Sequence, residues 1–242
     1  MSKTKQGAVG RDRYTEYRKA VLDCIHDLVD KGFVQGTGGN VSVRVEGEEV
    51  IAVTPSQREY AELKPKDICV VDFEGNPVVD NGLRASIETG MHLSVYKHRP
   101  DVNAVVHTHQ VYASVFAVTN EPIPAIFDEV SANIGTKIEV VPYGLSGSQQ
   151  LLENITAKLD TRMNCYLLQN HGALCLGINL AAAKRAAELL EKAAEVYYRA
   201  LATGKPATTL PPEIQDLLDK LVIGKQDGEI QRKSAEAPAK AE

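Results

Sequence analysis

Apolar positions recur at three- and four-residue steps across residues 11–31, where Tyr14, Tyr17, Val21, Ile25 and Leu28 fall on one face and Gly32 is placed to end a helix. The run Gly36-Thr37-Gly38-Gly39-Asn40 is too rich in glycine for a helix and suits a turn with positive φ. Val41, Val43 and Val45 then alternate with Ser42 and Arg44 as in a half-buried strand; Gly47 marks a hairpin, and Val50–Val53 returns beside it. Residues 68–73 read as a further strand, turned by Glu74-Gly75-Asn76-Pro77 into Val78-Val79.

The second half alternates helices with short strands. The pattern predicts helices over 87–97, 111–118 and Gln149–Leu159, and a long one rich in Ala, Glu, Leu and Lys over Leu180–Ala202. Residues 104–107, Lys137–Val141, Cys165–Leu168 and 173–176 read as strands, the last two separated by the polar break Gln169-Asn170-His171-Gly172. After Gly204 a Pro- and Thr-rich linker leads to a short amphipathic helix over 213–221. From Lys225 the chain is polar with Ala and Pro, a composition expected to be disordered. The expected organisation is a catalytic domain over 1–203, a linker and short helix over 204–224, and a tail over 225–242. Hairpins and helices around short strands indicate an α/β or α+β domain.

Composition narrows the function. Of 242 residues 43% are hydrophobic and 24% charged, which is ordinary globular usage. Lys and Arg number 27 against 32 Asp and Glu, a net charge of −5 that speaks against a dedicated nucleic-acid binder. No apolar stretch approaches the roughly 20 residues of a membrane span, and Met1-Ser2-Lys3-Thr4-Lys5-Gln6-Gly7 lacks a signal-like apolar segment, so a soluble cytoplasmic protein is expected. Cys24, Cys69, Cys165 and Cys175 lie apart in apolar runs, as buried thiols of a reducing compartment do.

His107-Thr108-His109 is the sharpest local signal. Side chains two apart on an extended backbone share a face, so both imidazoles can reach one cation, and neutral imidazole suits zinc among other divalent metals. Glu88 opens an expected helix and His92 follows one turn later, where it reads as the helix-face partner of Glu88. His171 stands in a polar break between two apolar runs, which is costly unless those groups are paired or ligated. Spacing alone leaves open whether His92 or His171 completes a cluster. His26 and His98 read as ordinary helix-surface or helix-end residues.

Gly36-Thr37-Gly38-Gly39-Asn40-Val41-Ser42, then Ser86-Ile87-Glu88, then His107-Thr108-His109, then Gln169-Asn170-His171-Gly172, in this order, resembles the class II aldolase/adducin head family. The resemblance covers about residues 14–202. It implies a three-layer α/β/α fold with a central, mainly antiparallel sheet, a homotetramer, and a divalent metal, zinc in the aldolases, near a subunit boundary. It also implies that His107, His109 and His171 are metal ligands, with Glu88 as a carboxylate that leaves the metal and serves as acid/base. Thr37, Gly38, Asn40, Ser56, Gln57 and Ser86 match the segments that hold the substrate's phosphate.

The implied activity is aldol cleavage of a small ketose, a ketose 1-phosphate giving dihydroxyacetone phosphate and an aldehyde through a zinc-stabilised enediolate. A keto-acid decarboxylase or a sugar-phosphate 4-epimerase would use the same enolate chemistry, and a non-catalytic adducin-like module shares the fold. Glu88 matches the aldolases, where the epimerase has an aspartate. Three departures mark this chain: Gln57 stands where glycine is usual, Ile87 where a second serine is usual, and Asp128 where the aldolase supplies a tyrosine to a neighbouring subunit.

Overall fold

The computed structural model describes residues 13–236. Residues 1–12, with the Met1–Gly7 stretch and the start of the first expected helix, lie outside the described residues, as do 237–242. The chain opens with α1 (Thr15–Asp30), β1 (Asn40–Arg44), β2 (Val50–Val53), β3 (Cys69–Asp72) and β4 (Pro77–Val79). There follow α2 (Thr89–His98), β5 (Ala104–Thr108), α3 (Val111–Thr119), β6 (Ile123–Pro124), α4 (Asp128–Ile134) and β7 (Lys137–Val141). The last part holds α5 (Gln149–Leu159), β8 (Cys165–Leu168), β9 (Gly172–Gly177), α6 (Leu180–Ala202) and α7 (Pro212–Glu236).

Among the described residues nine strands form one sheet in the order β4-β3-β2-β1-β5-β9-β8-β7-β6. Neighbours run antiparallel except β7 and β8, which are parallel. A parallel pair needs a crossover, and α5 supplies it. Alternate side chains serve opposite faces of the sheet. Val41, Ala52, Ala104, Val106, Ala173 and Cys175 pack under α1, α3, α4 and α6. Ile51, Val53, Val105, Leu174 and Leu176 pack under α2 and α5. Both faces are covered, which gives the three-layer architecture with the mainly antiparallel sheet implied by the resemblance. β5 lies in mid-sheet and is buried along its whole length.

All four cysteines are buried and free, and among the described residues no helix is long and apolar enough to cross a membrane. The elements missing from the sequence reading are short: β6 has two residues and α4 seven. The larger correction is the C-terminus. The expected short helix and the described part of the expected tail, to Glu236, are one helix, α7.

Composition hid α7 because polar groups dock much of it. Leu218, Val222 and Gln226 recur at four-residue steps and are buried. Asp219 accepts from the Thr136 backbone N–H (3.0 Å) and hydroxyl (2.8 Å), and Gln226 donates to Arg162 O (2.8 Å) and Asn164 Oδ1 (3.0 Å). Farther along, Glu229 accepts from Asn103 Nδ2 at 2.6 Å. Replacing Asp219→Ala removes two bonds to a charged acceptor and is expected to lower unfolding stability by about 1–3 kcal/mol, read by equilibrium denaturation.

Candidate metal centre and active site

Three chain segments meet at the end of β5. His107 is its fourth residue, paired with Asn40 of β1 on one side and Leu174 of β9 on the other. His109 follows just past the strand, its backbone N–H bonded to Phe33 O at 2.9 Å. His171 ends the β8–β9 turn, which Asn170 closes at φ 55°. Gly172 lets that turn lie against β5: a Cβ there would stand 2.4 Å from Thr108 O and 2.5 Å from His109 Cδ2. The glycine-rich turn needs the same close approach, since a Cβ on Gly39 (φ 72°) would stand 2.8 Å from His107 O.

The three imidazoles converge, each with a ligand atom within 4.8 Å of the others. Nε2 of His107 and Nε2 of His109 are 2.9 Å apart. His107 donates from Nδ1 to Ala173 O (2.8 Å), which turns Nε2 toward the cluster. Burial, together with the positive charge that His107 and His171 can carry, pushes His109 down to about 4, so its ring is neutral at pH 7. The donor set thus fits a divalent metal: three soft-to-borderline nitrogen donors on rigid backbone, in reach of one point.

Glu88, just before α2, faces this group. Its Oε2 is 3.2 Å from His107 Nε2 and its Oε1 3.1 Å from His171 Nε2. Burial alone raises such a carboxyl. The charge and hydrogen bond of His107, with bonds from His171 and Ser146, outweigh burial and hold it well below the usual carboxylate range. The result is a buried anion beside three nitrogens, a pocket that favours positive charge. The group of atoms close enough to share one ion is the three histidines; the carboxylate stands at its edge.

Some residues do other work than the sequence suggested. His92 is not a helix-face partner of Glu88: it is fully buried and bonds Ser42 and Asn40. The Asn40 carboxamide is committed to Glu88 (2.7 Å) and His92 (2.5 Å), so its side chain is not free for an anion. Ser146 was missed. Its hydroxyl donates to Glu88 Oε1 at 2.6 Å from the loop after β7, across 58 residues, and no local motif announces it.

The other anion-holding candidates lie side by side. Ser56 N–H bonds Arg84 O and Ser86 N–H bonds Thr54 O, so these two segments run antiparallel next to the glycine-rich turn that holds Thr37 and Gly38. The Ser86 hydroxyl accepts from the Glu88 N–H (3.2 Å) and keeps its own proton to give. Gln57 takes φ 53°, the left-handed conformation that glycine adopts most easily. Ile87 is 67% exposed. Asp128 is exposed at the start of α4, after β6, which lies four strands from β5 or roughly 19 Å across the sheet. Within one chain it is not brought to the histidines.

Comparison with known proteins agrees with this geometry. The family described as "Class II Aldolase and Adducin N-terminal domain" matches residues 19–198. A 5-deoxy-D-ribulose 1-phosphate aldolase of Bacillus thuringiensis is 33% identical over 194 residues, 80% of this chain and 89% of that protein. An L-fuculose phosphate aldolase of Escherichia coli is 34% identical over 195 residues, 81% of this chain and 88% of its own. A solved L-fuculose 1-phosphate aldolase superposes with a TM-score of 0.80 at 33% identity, covering 85% of this chain and 95% of that one. With three histidines gathered at the end of β5 and the match running through nearly all of the sheet, the chain belongs to the class II aldolase and adducin N-terminal domain family.

Proposed function

We propose that this protein is a class II aldolase, a carbon–carbon lyase that cleaves a small ketose 1-phosphate to dihydroxyacetone phosphate and an aldehyde, with zinc held by His107, His109 and His171. The observation that carries the reading is the convergence of three imidazole donors on one point beside an ionised, buried Glu88. A non-catalytic adducin-like module has no need of that arrangement. Relatives named as aldolases of deoxyribulose and fuculose phosphates, at 33–34% identity across four-fifths of the chain, favour aldol cleavage over decarboxylation or epimerisation.

The ion, when bound, supplies Lewis acidity that lowers the cost of negative charge on the substrate's carbonyl and adjacent hydroxyl oxygens. The protein's own groups do the rest. Glu88 moves a proton between its carboxylate and the carbon that keeps the electron pair when the bond breaks. Asp128, exposed and remote within its own chain, acts as acid/base for the leaving aldehyde oxygen in the site of a neighbouring copy. Thr37, Gly38, Ser56, Gln57 and Ser86 hold the phosphate, and exposed Arg58 and Arg84 on the same segments add positive charge there. Asn40 serves by orienting Glu88.

The assembly in this reading is a homotetramer. α3 follows His109 directly, contains no charged residue, and leaves Val111 and Val118 59% and 60% exposed. An apolar helix face of that kind suits cover by a neighbouring copy.

Incubation with a panel of ketose 1-phosphates is expected to release dihydroxyacetone phosphate, a chelator to abolish release, and zinc to restore it. Glu88→Gln is expected to lower kcat about 10²–10⁴-fold while zinc per chain is retained. Absence of product from every member of the panel, with metal bound, overturns the assignment. Val118→Glu is expected to shift the assembly in sedimentation toward smaller species, because it places a charge on the face that the neighbour covers.

A further inference from the structure

A line of buried polar groups reaches Glu88 Oε2, the oxygen that also stands 3.2 Å from His107 Nε2. Tyr96 Oη lies 2.8 Å from Ser42 Oγ, and Ser42 Oγ 2.6 Å from His92 Nδ1. His92 Nε2 is 2.5 Å from Asn40 Oδ1, and Asn40 Nδ2 is 2.7 Å from Glu88 Oε2. All five side chains are buried.

Donor and acceptor chemistry leaves one assignment. Asn40 turns its NH₂ to Glu88 and its carbonyl oxygen to His92. That carbonyl only accepts, so His92 carries its proton on Nε2 and offers a lone pair at Nδ1. Ser42 therefore donates to Nδ1, and its oxygen accepts from Tyr96. Every link donates toward Glu88. Burial, with His107 nearby, pushes the His92 imidazole down to about 3, so the ring is neutral as this pattern requires. Turning the Asn40 amide over would set its oxygen against the carboxylate and its NH₂ against the His92 N–H, two repulsions in a dry interior.

The other oxygen is held differently. Oε1 takes the hydroxyl of Ser146, which is half-buried on the loop after β7, and stands 3.1 Å from His171 Nε2. The carboxylate thus has one end tied to the core and one end tied to the surface.

We propose that His92 is a positioning residue for the reaction: kept in its Nε2-protonated form by Ser42 and Tyr96, it locks the Asn40 carboxamide and anchors Glu88 at Oε2, leaving Oε1 to exchange protons with substrate. Its kinetic consequence rests on the aldolase reading above, whereas the tautomer and the amide orientation do not. Tyr96 is a buried end point, so the line orients Glu88 and does not carry protons to water.

The test uses the full chain labelled with nitrogen-15 at histidine, with Ser42→Ala, His92→Gln and His92→Leu variants. The His92 ring, identified by its loss from the His92→Gln spectrum, is expected to be protonated at Nε2 and bare at Nδ1. Ser42→Ala removes the donor to Nδ1 and is expected to admit the Nδ1-protonated form. In turnover of a ketose 1-phosphate, His92→Leu is expected to lower kcat about 10–100-fold, with KM and zinc per chain little changed. His92→Gln, whose amide still donates to Asn40, is expected to regain most of that loss. A ring protonated at Nδ1 in the intact chain overturns the proposal. So does an undiminished kcat in His92→Leu, or a His92→Gln variant no faster than His92→Leu. If His92→Leu does not fold, Ser42→Ala and Tyr96→Phe carry the kinetic arm, a fall in kcat supporting and an unchanged kcat overturning. If the intact chain cleaves no ketose phosphate, the aldolase reading fails and the tautomer alone decides this one.

Discussion

A carboxylate that is 5% exposed stays ionised in this interior because each neighbour in reach donates to it or can carry positive charge. Glu88 has His107 and Asn40 at one oxygen, His171 and Ser146 at the other. Remove that company and burial would neutralise it, leaving no anion beside the imidazoles. Much of the local architecture supplies those partners: β1 brings Asn40, β5 brings His107, the β8–β9 turn brings His171, and the loop after β7 brings Ser146.

Strand register explains why the partners arrive together. Asn40, His107 and Leu174 stand abreast on β1, β5 and β9, so the two polar members are aligned by the same backbone ladder that builds the core. Glycine permits the approach at two points, Gly39 under the His107 carbonyl and Gly172 under the Thr108 carbonyl. A methyl group at either place would push a ligand-bearing segment outward by an ångström or so, enough to matter for donors that must meet at about 2 Å from an ion.

Much of this was legible in the chain. The valine alternation of β1, the apolar run of β5 and the Ala-rich α6 each announce themselves, and the order of the four polar motifs pointed to His107, His109 and His171 before any geometry was known. What stayed hidden had no periodic signal. Ser146 is a serine in a loop, distant in sequence from Glu88. His92 carries the same i, i+4 spacing as a surface pair, and only its burial shows that it turns to Ser42 and Asn40 instead. The helix through Glu236 docks partly with Asp219, Gln226 and Glu229, polar residues that composition alone assigns to solvent.

That last helix joins segments that lie far apart in the sequence. Gln226 bonds the Arg162 carbonyl, Glu229 meets Asn103 at the mouth of β5, and Arg232 reaches Glu46, 186 positions earlier. On a ribosome these anchoring sites emerge first and wait, open, while the remainder is still being made. Docking of α7 therefore waits until residues 212–236 have followed them, when the helix settles chiefly against α4.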